Sequence, residues 1–151
     1  MPRTFESLDA FRAAVGEELG TGDWLTVTQD QINLFADATG DHQWIHVDPE
    51  KAAQGPFGTT IAHGYLTVSL LPVLATSVYH IDGLTMGLNY GINRLRFPSP
   101  VPVDSRIRAT ATLKEVSDIP IGTQAVIGFV VEIEGVEKPA CIADVVYVMA
   151  A

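Results

Sequence analysis

The sequence predicts one α+β domain in which an antiparallel sheet wraps a long, nearly uncharged helix. Three observations predict it. Segments with helical spacing lie before Ser77, whereas four long segments rich in Val, Ile, Thr and aromatics follow it. Thr59 to Ser77 is the longest apolar segment and carries almost no charge. Arg106, Arg108, Thr110 and Thr112 alternate with Ile107, Ala109, Ala111 and Leu113, the period of two that marks a strand with one wet face. Helices first and strands afterwards define the α+β class. The 151 residues, 47% of them hydrophobic, suit a single domain over 1–151. No internal repeat or low-complexity linker divides them.

Taken in order, Ser7 to Val15 reads as a short helix, with Ser7 as N-cap and Leu8, Phe11 and Val15 on one stripe. Gly16 and Gly20-Thr21-Gly22 break it, and Trp24 to Val27 is a brief strand. Thr28-x-x-Gln31 has the form of a capping box, so a second helix follows with Ile32, Phe35 and Ala36 inward. Gly40 is placed to end that helix, and Asp48-Pro49 to start another as N-cap and first helical residue. Residues 42–46 are therefore read as a non-helical connector. Gln54 to Gly58 is a loop. In Thr59 to Ser77, Leu66, Ser69, Leu70, Val73 and Leu74 keep helical spacing, and other faces are apolar too. That predicts a helix buried on most sides, kinked or broken at Pro72. Thr85 to Phe97, Arg106 to Val116, Thr123 to Glu134 and Pro139 to Met149 are the long strands.

Net charge is −9, so nucleic acid is excluded as a nonspecific partner: phosphate contacts need clustered Lys and Arg. A single cysteine, Cys141, excludes an internal disulfide and a cysteine-based zinc site. Arg3, Glu6, Asp9, Arg12, Glu17 and Glu18 interrupt the first twenty residues, and no apolar run approaches the ~20 residues of a membrane span. The expectation is a cytoplasmic protein without signal peptide or membrane partner.

The chemistry concentrates in Asp41-His42-Gln43-Trp44-Ile45-His46. A carboxylate and an imidazole five residues apart on a connector can converge on one water, with His able to exchange a proton near neutrality and Asp ionised. The alternatives are that Asp41 only braces the turn and His46 only satisfies a backbone group, or that Asp41, His42, His46 and Asp48 hold a metal. A second candidate is His63-Gly64, where a backbone N–H free at a helix start can donate to an oxygen gaining negative charge. A third is Arg94 and Arg96, on one strand face, which with Arg106 and Arg108 hold four of the nine basic residues. They make either a local anion site or a solvated face of cross-strand pairs. Gly-x-Ser-x-Gly and the glycine-rich phosphate loops are absent.

Gly40-Asp41-x-x-x-x-His46, followed by Ala62-His63-Gly64 and by Arg94-Leu95-Arg96-Phe97-Pro98, resembles the MaoC-like, (R)-specific enoyl-CoA hydratase family over most of the chain beyond about residue 20. The family pattern usually has Asn-Pro where this chain has Gln43-Trp44. The resemblance implies a hot-dog fold, an edge-to-edge homodimer, and reversible syn hydration of a trans-2-enoyl-CoA to a (R)-3-hydroxyacyl-CoA in fatty acid metabolism. No metal or redox cofactor is implied; the acyl-CoA is the substrate. Asp41 and His46 are then catalytic, Gly64 N–H forms the oxyanion hole, and His63, Arg94 and Arg96 are expected to bind substrate. A hot-dog acyl-CoA thioesterase and a noncatalytic acyl-thioester binding subunit remain as alternatives.

Overall fold

The computed structural model describes all residues, 1–151. The chain opens with β1 (Arg3–Phe5) and α1 (Leu8–Ala13), whose N-cap Ser7 accepts a hydrogen bond from Ala10 N at 3.1 Å. β2 (Glu18–Thr21) and β3 (Leu25–Thr26) follow. Next is α2 (Gln29–Thr39), started by Thr28, whose hydroxyl accepts from Gln31 N at 3.2 Å. The return arm of the expected capping box does not form, because Gln31 Oε1 is buried without a partner. α2 ends at Gly40 with φ 82°, a left-handed conformation that favours glycine.

The connector is not fully irregular. It contains one helical turn, α3 (Trp44–Val47), before α4 (Pro49–Ala53). The expectation of a non-helical stretch over 42–46 is corrected at 44–46: three backbone bonds, His46 N and Val47 N to Gln43 O and Asp48 N to Trp44 O, close the turn. The start of α4 is as expected, with Pro49 in the first turn and Asp48 accepting from Lys51 N at 3.1 Å.

The apolar segment forms two short helices rather than one long one. α5 (Gly64–Ser69) and α6 (Leu71–Ala75) meet at Leu70, and Pro72 sits in the first turn of α6, where its missing N–H is tolerated. Burial is also one-sided. Leu66, Thr67, Leu70, Leu71, Leu74 and Ala75 are buried, while Tyr65, Ser69, Pro72, Val73 and Thr76 form an exposed stripe.

β4 (Tyr79–Ile81) pairs in parallel with β1 as a small separate sheet. The four long strands are β5 (Met86–Arg96), β6 (Arg106–Ile119), β7 (Gly122–Ile133) and β8 (Cys141–Ala150). The main sheet runs β2-β6-β7-β8-β5 with β3 beside β6, and every pairing is antiparallel. Ile107, Ala109, Ala111 and Leu113 are fully buried, as their alternation demands. Together with Ile127, Phe129 and Val131 of β7 they pack in one hydrophobic cluster with Leu66, Leu71 and Leu74. The sheet thus wraps α5 and α6. Burial of that apolar face holds both short helices, which have too few residues to be stable alone.

Candidate active site

α2, α3 and the segment before α5 converge on Asp41 and His46. Gly40 turns the chain out of α2, and α3 then carries His46 back under the segment before α5. His46 Nδ1 lies 2.7 Å from Ile61 O. A carbonyl only accepts, so Nδ1 carries the proton and the neutral ring presents the Nε2 lone pair. The backbone reinforces this, since Ile61 N donates to Ile45 O at 3.0 Å. Burial, first of all, holds the His46 pKa below that of an ordinary histidine, and repulsion from His63 adds to it. The bond to Ile61 and the charge of Asp41 oppose the shift. Ligand atoms of Asp41, His46 and His63 lie within 4.8 Å of one another.

Gln29 and Thr60 support the arrangement, and sequence reasoning missed both. Gln29 Nε2 donates to His46 O at 2.8 Å and to Asn33 Oδ1 at 2.9 Å, while Gln29 Oε1 accepts from the buried Thr60 hydroxyl at 2.6 Å. A glutamine in the first turn of a helix carries no sequence signal for such a bridge. Trp44 anchors the same turn. A Cβ on Gly55 would sit 2.8 Å from the Trp44 ring, so glycine there permits the contact, and Lys51 Nζ lies 4.9 Å over the indole.

His63 is 2% exposed, and its Nε2 donates to the backbone oxygen of Asp41 at 2.9 Å. Its ring stacks on His46, with centroids 3.9 Å apart and planes 23° apart, and packs against Phe35 at 4.9 Å. This bears on metal binding. Imidazole lone pairs lie in the ring planes, and two planes this close to parallel do not meet at bonding distance from both rings. The other candidate ligands are engaged elsewhere: His42 Nε2 bonds Asp37 at 3.0 Å on the exposed face of α2, and Asp48 caps α4.

His46 and Gly64 line the same cleft, a space of about 300 Å³ walled by Phe57, Ile61, Phe97 and Val101. Gly64 is the first residue of α5, so its N–H has no acceptor within the helix. A Cβ there would meet the Phe97 ring at 3.0 Å. Glycine therefore keeps both the ring and the cleft in place.

The arginines separate into two groups. Arg106 pairs with Glu134 and Arg108 with Glu132 at 2.7 Å, both stacked over Trp24. Of the two readings of that face, cross-strand pairing holds for both, since Arg108 faces Glu132 across the β6–β7 ladder and Arg106 O accepts from Glu134 N just beyond it. Arg94 and Arg96 form no ion pair. Both are exposed near the end of β5, just before Phe97, and Arg96 Nη1 donates to Leu95 O at 2.7 Å.

A profile of the MaoC like domain matches residues 10–135. A 3-hydroxyacyl-thioester dehydratase Z of Mycobacterium tuberculosis is 59% identical over 143 residues, covering 94% of this chain and 95% of that protein. Nodulation protein N of Rhizobium leguminosarum is 48% identical over 144 residues, covering 91% and 88%. Among solved structures, an (R)-hydratase from A. caviae superposes with a TM-score of 0.70 at 22% identity, covering 88% of this chain and 94% of that one. That likeness is one of fold, the hot-dog fold with its sheet around the central helices. The chain belongs to the MaoC-like dehydratase family and is a hydro-lyase.

Proposed function

We propose that the protein is a 3-hydroxyacyl-thioester dehydratase that runs the reversible syn hydration of a trans-2-enoyl-CoA to the (R)-3-hydroxyacyl-CoA. The observation that carries the reading is that ligand atoms of Asp41 and His46 lie within 4.8 Å of each other, with His46 and Gly64 in the wall of one cleft.

The dyad holds one water. One of its protons is withdrawn as the oxygen bonds to the β carbon, and one proton is delivered to the α carbon. The dyad's own proton count is unchanged over the cycle, and both additions come from one side, which gives the syn product. Charge developing on the thioester oxygen is met by Gly64 N–H, a donor fixed before the reaction. Asp41 and His46 act as a coupled pair, so acid and base are roles of the pair. No metal or redox cofactor takes part. Arg94 and Arg96, unpaired cations beside Phe97, take the CoA phosphates.

The same family's named relatives act on hydroxyacyl thioesters, which favours this substrate class. The experiment is the loss of enoyl absorbance when the protein meets crotonyl-CoA and a longer trans-2-enoyl-CoA, with chiral analysis of the product. The (R)-3-hydroxyacyl product is expected. Release of free thiol without hydration would turn the reading to a thioesterase, and tight binding without turnover would turn it to a binding subunit.

A further inference from the structure

His63 makes no use of its ring toward the cleft. The ring is buried, one nitrogen is spent on the backbone of Asp41, and the other, Nδ1, is buried without any partner. Leaving a buried acceptor unpaired is unfavourable. A hydrocarbon ring would avoid that loss and keep the packing against Phe35. What a hydrocarbon ring cannot do is donate to Asp41 O. What a non-aromatic donor cannot do is cover the face of His46. Histidine does both, and its backbone ties the site to α5, because His63 O accepts from Thr67 N at 3.2 Å.

We propose that His63 is a positioning residue: by holding the Asp41 carbonyl with Nε2–H and the His46 ring by stacking, it locks the two catalytic side chains into one geometry. This deepens the hydratase reading and rests on it. His63 then belongs to neither the CoA site nor the acyl site, in contrast to the substrate contact expected from the sequence. The titratable groups facing His46 are Asp41 and His63. The stacked imidazole also opposes protonation of His46, so its removal shifts the acid side of the activity profile upward.

The test compares His63→Phe, which keeps the ring and loses the donor, with His63→Gln, which keeps a donor and loses the ring. Both are expected to lower kcat on the order of 10²-fold, the effect of misplacing a reacting group by about 1 Å, with KM for the enoyl-CoA unchanged. His63→Gln is further expected to move the acid limb of kcat/KM to higher pH. Raised KM with unchanged kcat would mean direct substrate contact and overturn the proposal, as would unchanged kinetics in either folded variant. Should a variant not fold, the native protein decides: long-range ¹H–¹⁵N spectra are expected to show the Nε2–H tautomer at His63 and the Nδ1–H tautomer at His46. An Nδ1–H tautomer at His63 would overturn the proposal. These spectra need no turnover. A failed hydratase reading, seen as an inactive native protein, is thus distinguishable from a failed role for His63.

Discussion

His46 shows how one short contact decides a residue's chemistry. Because Nδ1–H is committed to Ile61 O, the ring's free lone pair is on Nε2, and burial keeps it neutral at lower pH than a free histidine. Two pH effects follow with the same sign. The folded pKa lies below the unfolded value near ~6.5, so the unfolded chain binds more protons between the two. The stability contributed by neutral His46 is complete above the unfolded value and is lost as pH falls through the folded one. The acid limb of kcat/KM is likewise expected below ~6.5, and a limb above that value would contradict the assignment. Gly64 is the second residue with a sharp expectation. Gly64→Ala should push on the Phe97 ring and lower kcat/KM by at least about tenfold, equivalent to about 1.4 kcal/mol, while thermal unfolding changes little. Cys141, fully buried with its thiol pushed up to about 11, is expected to resist alkylation in the native protein and to react only on unfolding.

At the scale of elements, the ends of helices place Asp41 and His46. Gly40 ends α2 in the left-handed region, and replacing it with alanine should destabilise the fold by roughly 1 kcal/mol, read as a lower denaturant midpoint at unchanged slope. The helix ends and the four long strands were legible because caps, glycines and period-two alternation are local signals. Ser7, Thr28, Gly40 and Asp48 all act as their positions imply. The missed strands are short and held by distant partners. β1 and β4 are three residues each and exist through their pairing with one another across 76 positions of sequence, as from Arg3 to Tyr79. The break at Leu70 followed from Pro72, but the exposed stripe of α5 and α6 did not, since Tyr65 and Val73 are apolar residues in an apolar run. That Asp41 and His46 come together was legible from their spacing on the connector. Gln29 and Thr60 were not, because their bridge joins two segments 31 residues apart and leaves no periodic trace.

For the whole molecule, the sheet is open, with β2 and β3 at one edge and β5 at the other. β5 is an edge strand in which every residue except Leu95 is exposed, with Leu88, Tyr90 and Ile92 at 46%, 68% and 42%. The exposed stripe of α5 and α6 adjoins it across clefts shared by Pro72, Asn89 and Tyr147. An uncovered edge of this length invites another strand. A homodimer joined through β5 fits both the edge and the apolar stripe. Sedimentation is expected to give a dimer, and Tyr90→Lys or Ile92→Lys to shift it toward monomer; a monomeric native protein would contradict that assembly. No helix is long and apolar enough to cross a membrane. The absence of metal chemistry in the proposed reaction is tested at the same scale, with activity after exhaustive chelation expected to equal that before.

The account turns on Asp41 and His46 acting on one water. The direct measurement is steady-state hydration of crotonyl-CoA by the native protein, Asp41→Asn and His46→Gln side by side, with folding of each verified by circular dichroism. The account predicts rapid formation of (R)-3-hydroxybutyryl-CoA by the native protein and a loss of at least about 10³-fold in kcat for each substitution, in the upper half of the range for one general acid–base group because each residue also holds the water. Either folded variant retaining native turnover would contradict it.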